Sequence, residues 1–364
     1  FFFKQKTAYE IPKRDWSSDV CSSDLVAVRI RRVVAVVSSR DEGFRGKAPS
    51  LAEFEDFLVD KIQAADPAAF HSQIGRHRRN WREFWRRADI PFSGSAAFTE
   101  SQRFNAYHLR SAAPHDPHSS IPARGLSGRG YEGHVFWDSE TFMLPFFNLQ
   151  SPAHARRMLE YRHRTLDGAR RRAREMGFRG ACYAWESTVD GRDVTPDRIV
   201  MRSTGMEIPI FTGSQQMHVT ADIAHGIWQY WFCTGDSDFL KCLGAEILFE
   251  TARFWSSRCS LEAGRYHIDG VVGPDEYHHG VRDNAYTNWM ARFNLEKALW
   301  ARDWLLENDP RQFTELSARI GLFEEELRHW EMVARQLFVP VPGPDGVIEQ
   351  FEGFFELADV GIEV

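Results

Sequence analysis

Cysteine is scarce in this chain. The five residues, Cys21, Cys182, Cys233, Cys242 and Cys259, are irregularly spaced with no CxxC pair, which argues against a disulfide framework and against a zinc or dithiol motif. Free thiols in a reducing, cytoplasmic compartment are the expectation. Long apolar runs are missing too. The longest clean stretch, Val33–Val37, is far short of the ~18 residues of a membrane span, so a soluble protein without membrane contact is expected. There is no long Lys/Arg block, only clusters such as Arg170-Arg171-Arg172 in a chain of net charge −6, and nucleic acid is not an expected partner. Nor does any repeat of fixed period show, which weakens a solenoid. What is plentiful is apolar and aromatic: 28 Phe, 12 Trp and 9 Tyr in 364 residues, enough for one large or two smaller cores without a covalent staple.

Residues 1–25 carry no periodicity, no sustained apolar region and no small-residue cleavage site, so they fail as a signal peptide. The strings Lys4–Ile11 and Arg14–Leu25 resemble a translated short-read sequencing adapter, with Pro12-Lys13 in its variable index. This stretch is therefore expected to be non-native, with the natural N-terminus lying upstream. From Val26 to Ser39 a β-branched, partly alternating pattern reads as one or two strands, and 26–40 is taken as the tail of a lost β domain. Residues 41–95 read as a helical linker. Ser50 and Glu53 form a capping box ahead of Leu51, Phe54, Leu58 and Ile62, and Pro67 opens a second run through Phe70, Ile74, Trp81 and Trp85. Beyond Pro91 the periodicity predicts helices over about 99–112, 138–149, 152–177, 218–234, 237–260, 286–307 and 311–337. Their Gly-, Pro-, Asp- and His-rich connections suggest an all-α toroid with a site built by loops, an open bundle being the alternative.

Three loops contain candidate chemistry. Gly273-Pro274-Asp275-Glu276-Tyr277-His278-His279 places carboxyls among aromatic rings, and a carboxyl desolvated by rings or set beside another carboxylate holds its proton nearer neutral pH. Glu276 is the candidate general acid; the competing reading is a solvated turn. The second loop, Gly125–Glu140, is glycine-rich but has neither GK[ST] nor a preceding strand, so a nucleotide cradle is not expected. Its Trp137-Asp138 pair suits a pyranose, with a ring to stack on the sugar face and a carboxylate to accept hydroxyl hydrogen bonds; otherwise it is a packed Trp beside a helix N-cap. Tyr183–Ser187 repeats the pairing in Trp185-Glu186, at what reads as another helix end.

From about Asn80 to Val364 the chain resembles the catalytic region of glycoside hydrolase family 65, whose named members include kojibiose, trehalose, maltose and nigerose phosphorylases. The resemblance rests on Ser120–Gly128, Gly133–Glu140, Leu144–Phe147, Tyr161–Ala169, Trp185–Ser187, Ala221–Ala224, Gly244–Trp255 and Gly273–Asn288. It implies an all-α catalytic region, an (α/α)6 barrel over 96–364, incomplete here, preceded by the remnant of an N-terminal β-sandwich and a helical linker. The implied reaction is inverting phosphorolysis of an α-linked glucosyl disaccharide to β-glucose 1-phosphate. By the same resemblance Glu276 is the general acid, and Trp137, Asp138, Trp185 and Glu186 hold the glucosyl unit. Met217–Asp222 looks like kojibiose- or trehalose-type members, which makes His218 a contact for the second sugar. No metal and no organic cofactor is implied; phosphate is the co-substrate, and the intact protein is expected to be a homodimer.

The chain ends at Val364, before the loop where the family keeps its phosphate ligands or, in hydrolytic members, a base that activates water across roughly 6.5–9.5 Å. An inverting α-glucoside hydrolase, with its base beyond Val364, is therefore the alternative to a phosphorylase, and a non-catalytic sugar-binding toroid is the third reading. An unclosed barrel exposes apolar helix faces, so this piece alone is expected to aggregate and to be inactive.

Overall fold

The computed structural model describes residues 34–35, 37, 44, 49–64, 70–127, 130–201 and 203–358. The adapter-like segment and Pro67 lie outside the described residues, as does the 26–40 strand reading apart from Val34, Ala35 and Val37. The chain divides into two compact units, Phe1–Arg86 and Arg87–Val364.

The first unit contains α1 (Leu51–Gln63) and most of α2 (Phe70–Ala88). The capping box forms as its residues dictate: the Ser50 hydroxyl accepts from the Glu53 amide at 3.3 Å, and the Ser50 amide donates to the Glu53 carboxylate at 2.7 Å.

The second unit is helical in two layers. One layer is α4 (Leu144–Gln150), α8 (Val219–Thr234) and α11 (Ala285–Asn308); the other is α5 (Pro152–Arg164), α6 (Leu166–Glu175), α10 (Ala245–Arg258), α12 (Pro310–Ile320) and α13 (Glu324–Gln336). α8 packs on α4, α5, α10 and α11, and α11 on α10, α12 and α13, so the chain crosses repeatedly between the layers, with α5–α6 and α12–α13 each staying in one. The core lies between them, around Leu144, Phe147, Met158, Ile223, Ile227, Phe249, Trp255, Leu295 and Trp330, all fully buried. α3 (Ala96–Ala112) precedes this array, capped by the Ser95 hydroxyl. Short helices α7 (Thr212–Gln215) and α9 (Ser237–Phe239) introduce α8 and α10. Among the described residues no helix is long and apolar enough to cross a membrane.

The expected helices are present, but several divide. The 152–177 run breaks at Thr165, whose hydroxyl bonds the Tyr161 and Arg162 carbonyls. The 311–337 run breaks at Gly321, which takes the left-handed conformation (φ 60°) that ends α12. In the 138–149 run, Pro145 has no N–H to give the carbonyl four residues back, and the helix opens as a π turn over Ser139–Met143, with the Leu144 amide reaching Ser139. The 237–260 helix stops at Arg258, because Ser260 belongs to a hairpin. That hairpin, β3 (Ser260–Glu262) with β4 (Arg265–His267), and the earlier β1 (Arg198–Val200) with β2 (Glu207–Pro209), are antiparallel and three residues to a strand. Strands so short have no readable alternation.

Candidate active site

The two Trp-acid pairs, 48 residues apart in sequence, are brought together by one backbone contact. Val135 and Ser187 exchange hydrogen bonds of 3.0 and 2.9 Å as an antiparallel bridge. Two steps along that register Trp137 falls opposite Trp185, and their ring centroids are 6.4 Å apart. Tyr183–Ser187 is thus an extended loop and not the helix end read from sequence. It is pinned from its far side as well: the Trp185 amide donates to the Asp193 carboxylate at 3.1 Å and the Glu186 amide to the Thr195 hydroxyl at 3.2 Å.

Beneath Trp137-Asp138 lies a fully buried ion pair. Arg162 presents its fork to both oxygens of Glu140 (2.9 and 2.6 Å) and gives a further hydrogen bond to the Phe136 carbonyl at 3.0 Å. The clamp therefore holds the chain on both sides of Trp137-Asp138. Asp138 stands at the head of the π turn without making a side-chain cap, contrary to the N-cap alternative, and its carboxylate takes a hydrogen bond only from its own backbone among the described residues. Burial raises its pKa. Glu186 differs, since one oxygen is taken by His134 Nδ1 at 2.8 Å.

These residues line a cavity of about 630 Å³, together with Glu276. Within the acid loop the two neighbouring carboxyls divide their tasks. Asp275 accepts from the Tyr277 amide, from His278 Nδ1 and from Gln350; burial raises its pKa, but these bonds outweigh that and hold it below the usual range. Asp275 therefore orders the loop. Glu276 makes no hydrogen bond with the described residues and lies against the cavity, where partial burial raises its pKa, the charges on Asp138 and Asp275 push the same way, and a positive charge on His218 opposes them. A raised pKa on the cavity side is what a proton donor requires.

Of the residues read from sequence, Trp137, Asp138, Trp185, Glu186 and Glu276 line this one cavity, and His218 does not. His218 is fully buried, with its ring edge-on to Trp137 (4.7 Å), Trp185 (5.7 Å) and Tyr286 (5.2 Å), and Nδ1 2.7 Å from Asp222. In this structure the ring has no accessible surface to offer a second sugar and packs against both tryptophans. Sequence reasoning missed the remainder of the lining, notably Tyr131, Ile199, Ile208, Phe211 and His279. Phe211 and His279 stack at 4.1 Å and join the first hairpin's end to the acid loop. No local pattern marks Ile199 and Ile208, because a three-residue strand places its side chains by pairing rather than by periodicity, whereas Tyr131 and His279 lie in the two loops already singled out by their chemistry. No cluster of three or more metal-ligating side chains is gathered among the described residues.

A two-layer helical array whose loops gather paired tryptophans and carboxylates around one cavity defines the class of helical-barrel catalytic domains. The chain belongs to glycosyl hydrolase family 65, whose central catalytic domain matches residues 103–364. It is 40% identical over 333 residues to the kojibiose phosphorylase of Halothermothrix orenii, covering 90% of this chain and 43% of that protein. It is 42% identical over 283 residues to the α,α-trehalose phosphorylase of Geobacillus stearothermophilus, covering 78% and 35%. A solved structure of a candidate kojibiose phosphorylase from the human microbiome superposes with a TM-score of 0.73 at 25% identity, over 85% of this chain and 43% of that one. The chain thus spans about two fifths of the length of the relatives it matches.

Proposed function

We propose that this chain is the catalytic region of an inverting α-glucoside phosphorylase. Glu276 protonates the departing glycosidic oxygen while phosphate attacks the anomeric carbon from the opposite face, giving β-glucose 1-phosphate and a free acceptor sugar. Trp137 and Trp185 stack on the glucosyl ring, and Asp138 and Glu186 accept its hydroxyl hydrogens. Phosphate is anionic already and needs no protein base, so one protonated carboxyl suffices. The observation that carries this reading is the presence of Glu276, unpartnered and with a raised pKa, in the same cavity as both Trp-acid pairs. The activities of the relatives, phosphorolysis of kojibiose and of trehalose, support phosphate as the co-substrate.

The test is phosphate dependence. Incubation of the intact protein with kojibiose or trehalose should release β-glucose 1-phosphate only when phosphate is present, and Glu276→Gln should lower that release by roughly 10²–10⁴-fold. Release of glucose alone at the same rate without phosphate would replace this reading with an inverting hydrolase. Undiminished sugar binding and no turnover by any form, Glu276→Gln included, would favour a binding toroid. A cytoplasmic location and a homodimeric assembly complete the proposal.

A further inference from the structure

The acid loop stands on two consecutive glutamines. The Gln215 carbonyl accepts from the Val272 amide at 3.0 Å, and its side-chain oxygen accepts from the Gly280 amide at 2.6 Å. The fully buried Gln216 side chain, between them, donates from Nε2 to the Gly273 carbonyl at 2.8 Å. Both feet of the Gly273–His279 loop are thus tied to one short segment ahead of α8. A side chain at position 273 is barred, because a Cβ there would collide with the Asn284 amide group.

Gln216 Nε2 also lies 3.1 Å from His218 Nε2. The orientation of the amide is set by its other contact: with the oxygen turned inward, two carbonyl oxygens would face each other with no hydrogen between them. Nε2 therefore carries one hydrogen to Gly273 and one to His218. His218 Nε2 must then accept, which puts the ring's only proton on Nδ1, where it is donated to Asp222 at 2.7 Å. The other Asp222 oxygen accepts from the Tyr286 hydroxyl at 2.9 Å, completing the chain.

We infer that Gln216 is a positioning residue for the acid: it anchors the Gly273 carbonyl and holds His218 as the neutral Nδ1–H tautomer beneath the cavity, so that no cation sits under Glu276. The groups around His218 are Asp222 on α8, Tyr286 on α11, the Trp137 and Trp185 rings, and the cavity carboxyl Glu276. Every charged member of that set is acidic and would favour an imidazolium, so a donor at Nε2 is what keeps the ring neutral. A positive His218 would draw the Glu276 proton away, in opposition to burial. This inference rests on the acid role proposed for Glu276.

The experiment reads the ring directly. In chain labelled with 15N-imidazole histidine, the His218 signals, assigned by their loss in His218→Asn, should show one protonated and one unprotonated nitrogen from pH 6 to 8. Gln216→Glu, whose carboxylate accepts from Nε2–H, should convert both to protonated signals. In Gln216→Met, amide hydrogen exchange across 272–280 should quicken about tenfold while the helices keep their protection. An imidazolium in the unsubstituted chain, or loop exchange unchanged in a folded Gln216→Met, overturns the inference. None of these readouts needs turnover. A neutral His218 in a protein whose Glu276→Gln form is fully active would retire the catalytic reading and leave the tautomer standing, whereas a charged His218 in an active enzyme does the reverse.

Discussion

Replacing Arg162 by methionine is the sharpest test of how the site is held. Arg162 and Glu140 have no accessible side-chain surface, and the guanidinium also serves the Phe136 carbonyl. Arg162→Met leaves a carboxylate and a carbonyl buried without their donor. Breaking a buried pair by removing one partner costs about 3–5 kcal/mol, because the remaining charge is uncompensated. Arg162→Lys keeps the charge but not the two-pronged geometry, and should cost about 1–3 kcal/mol. The double change Glu140→Gln with Arg162→Met removes the stranded charge, so it should be more stable than Arg162→Met alone by roughly 2 kcal/mol, an opposite-sign coupling that independent sites cannot give. Urea unfolding followed by tryptophan fluorescence and by circular dichroism measures all three. A cost below about 1 kcal/mol for Arg162→Met, or a double variant no better than the sum of its singles, would refute the argument. Because the clamp brackets Trp137-Asp138, surviving Arg162→Lys protein should also bind glucose more weakly.

Other expectations follow from local features. Glu276→Gln should lower phosphorolysis by roughly 10²–10⁴-fold with sugar binding retained, as measured by turnover beside calorimetric titration. Since the acid works protonated and the Asp138 charge helps raise its pKa, Asp138→Asn should move the alkaline limb of kcat/KM to lower pH, and an unmoved limb would count against Glu276 as the group that sets it. His154 is held neutral, its pKa lowered to about 4 by burial and by Arg110, Arg157 and His115. The unfolded chain then binds the extra proton between about pH 6.5 and 4, so its contribution to stability is complete above that window and is lost on acidification; His154→Gln should flatten this part of the stability profile. Gly180 has φ +73°, and a Cβ there would meet the Glu250 carbonyl and the Phe254 amide, so Gly180→Ala should cost about 3 kcal/mol or more in chemical denaturation.

Much of this protein is legible in one dimension because the determining interactions are local. The Ser50–Glu53 capping box forms between residues three apart, and the helices of the catalytic unit follow from apolar spacing and from caps such as Asn284, which accepts from Thr287. Glu276 and the two Trp-acid pairs are conspicuous by type and neighbourhood, and all five residues meet in one cavity. Where the structure adds what the sequence reading did not hold, a distant partner has intervened. Tyr183–Ser187 is extended because Ser187 pairs with Val135; His218 is buried because Trp137, Trp185 and Tyr286 close over it.

The sequence by itself determined the helical class, the family and the residue types gathered at the cavity, all of which depend on short-range periodicity and on side-chain chemistry. Only the tertiary structure decided which of Asp275 and Glu276 stays free for the cavity, which Trp faces which, and that Gln216 dictates where the His218 proton resides. Each of these turns on hydrogen bonds between residues far apart in the chain, such as Gln350 to Asp275 and Gln216 to Gly273, and a buried polar group's state is set by whichever partner the fold delivers to it.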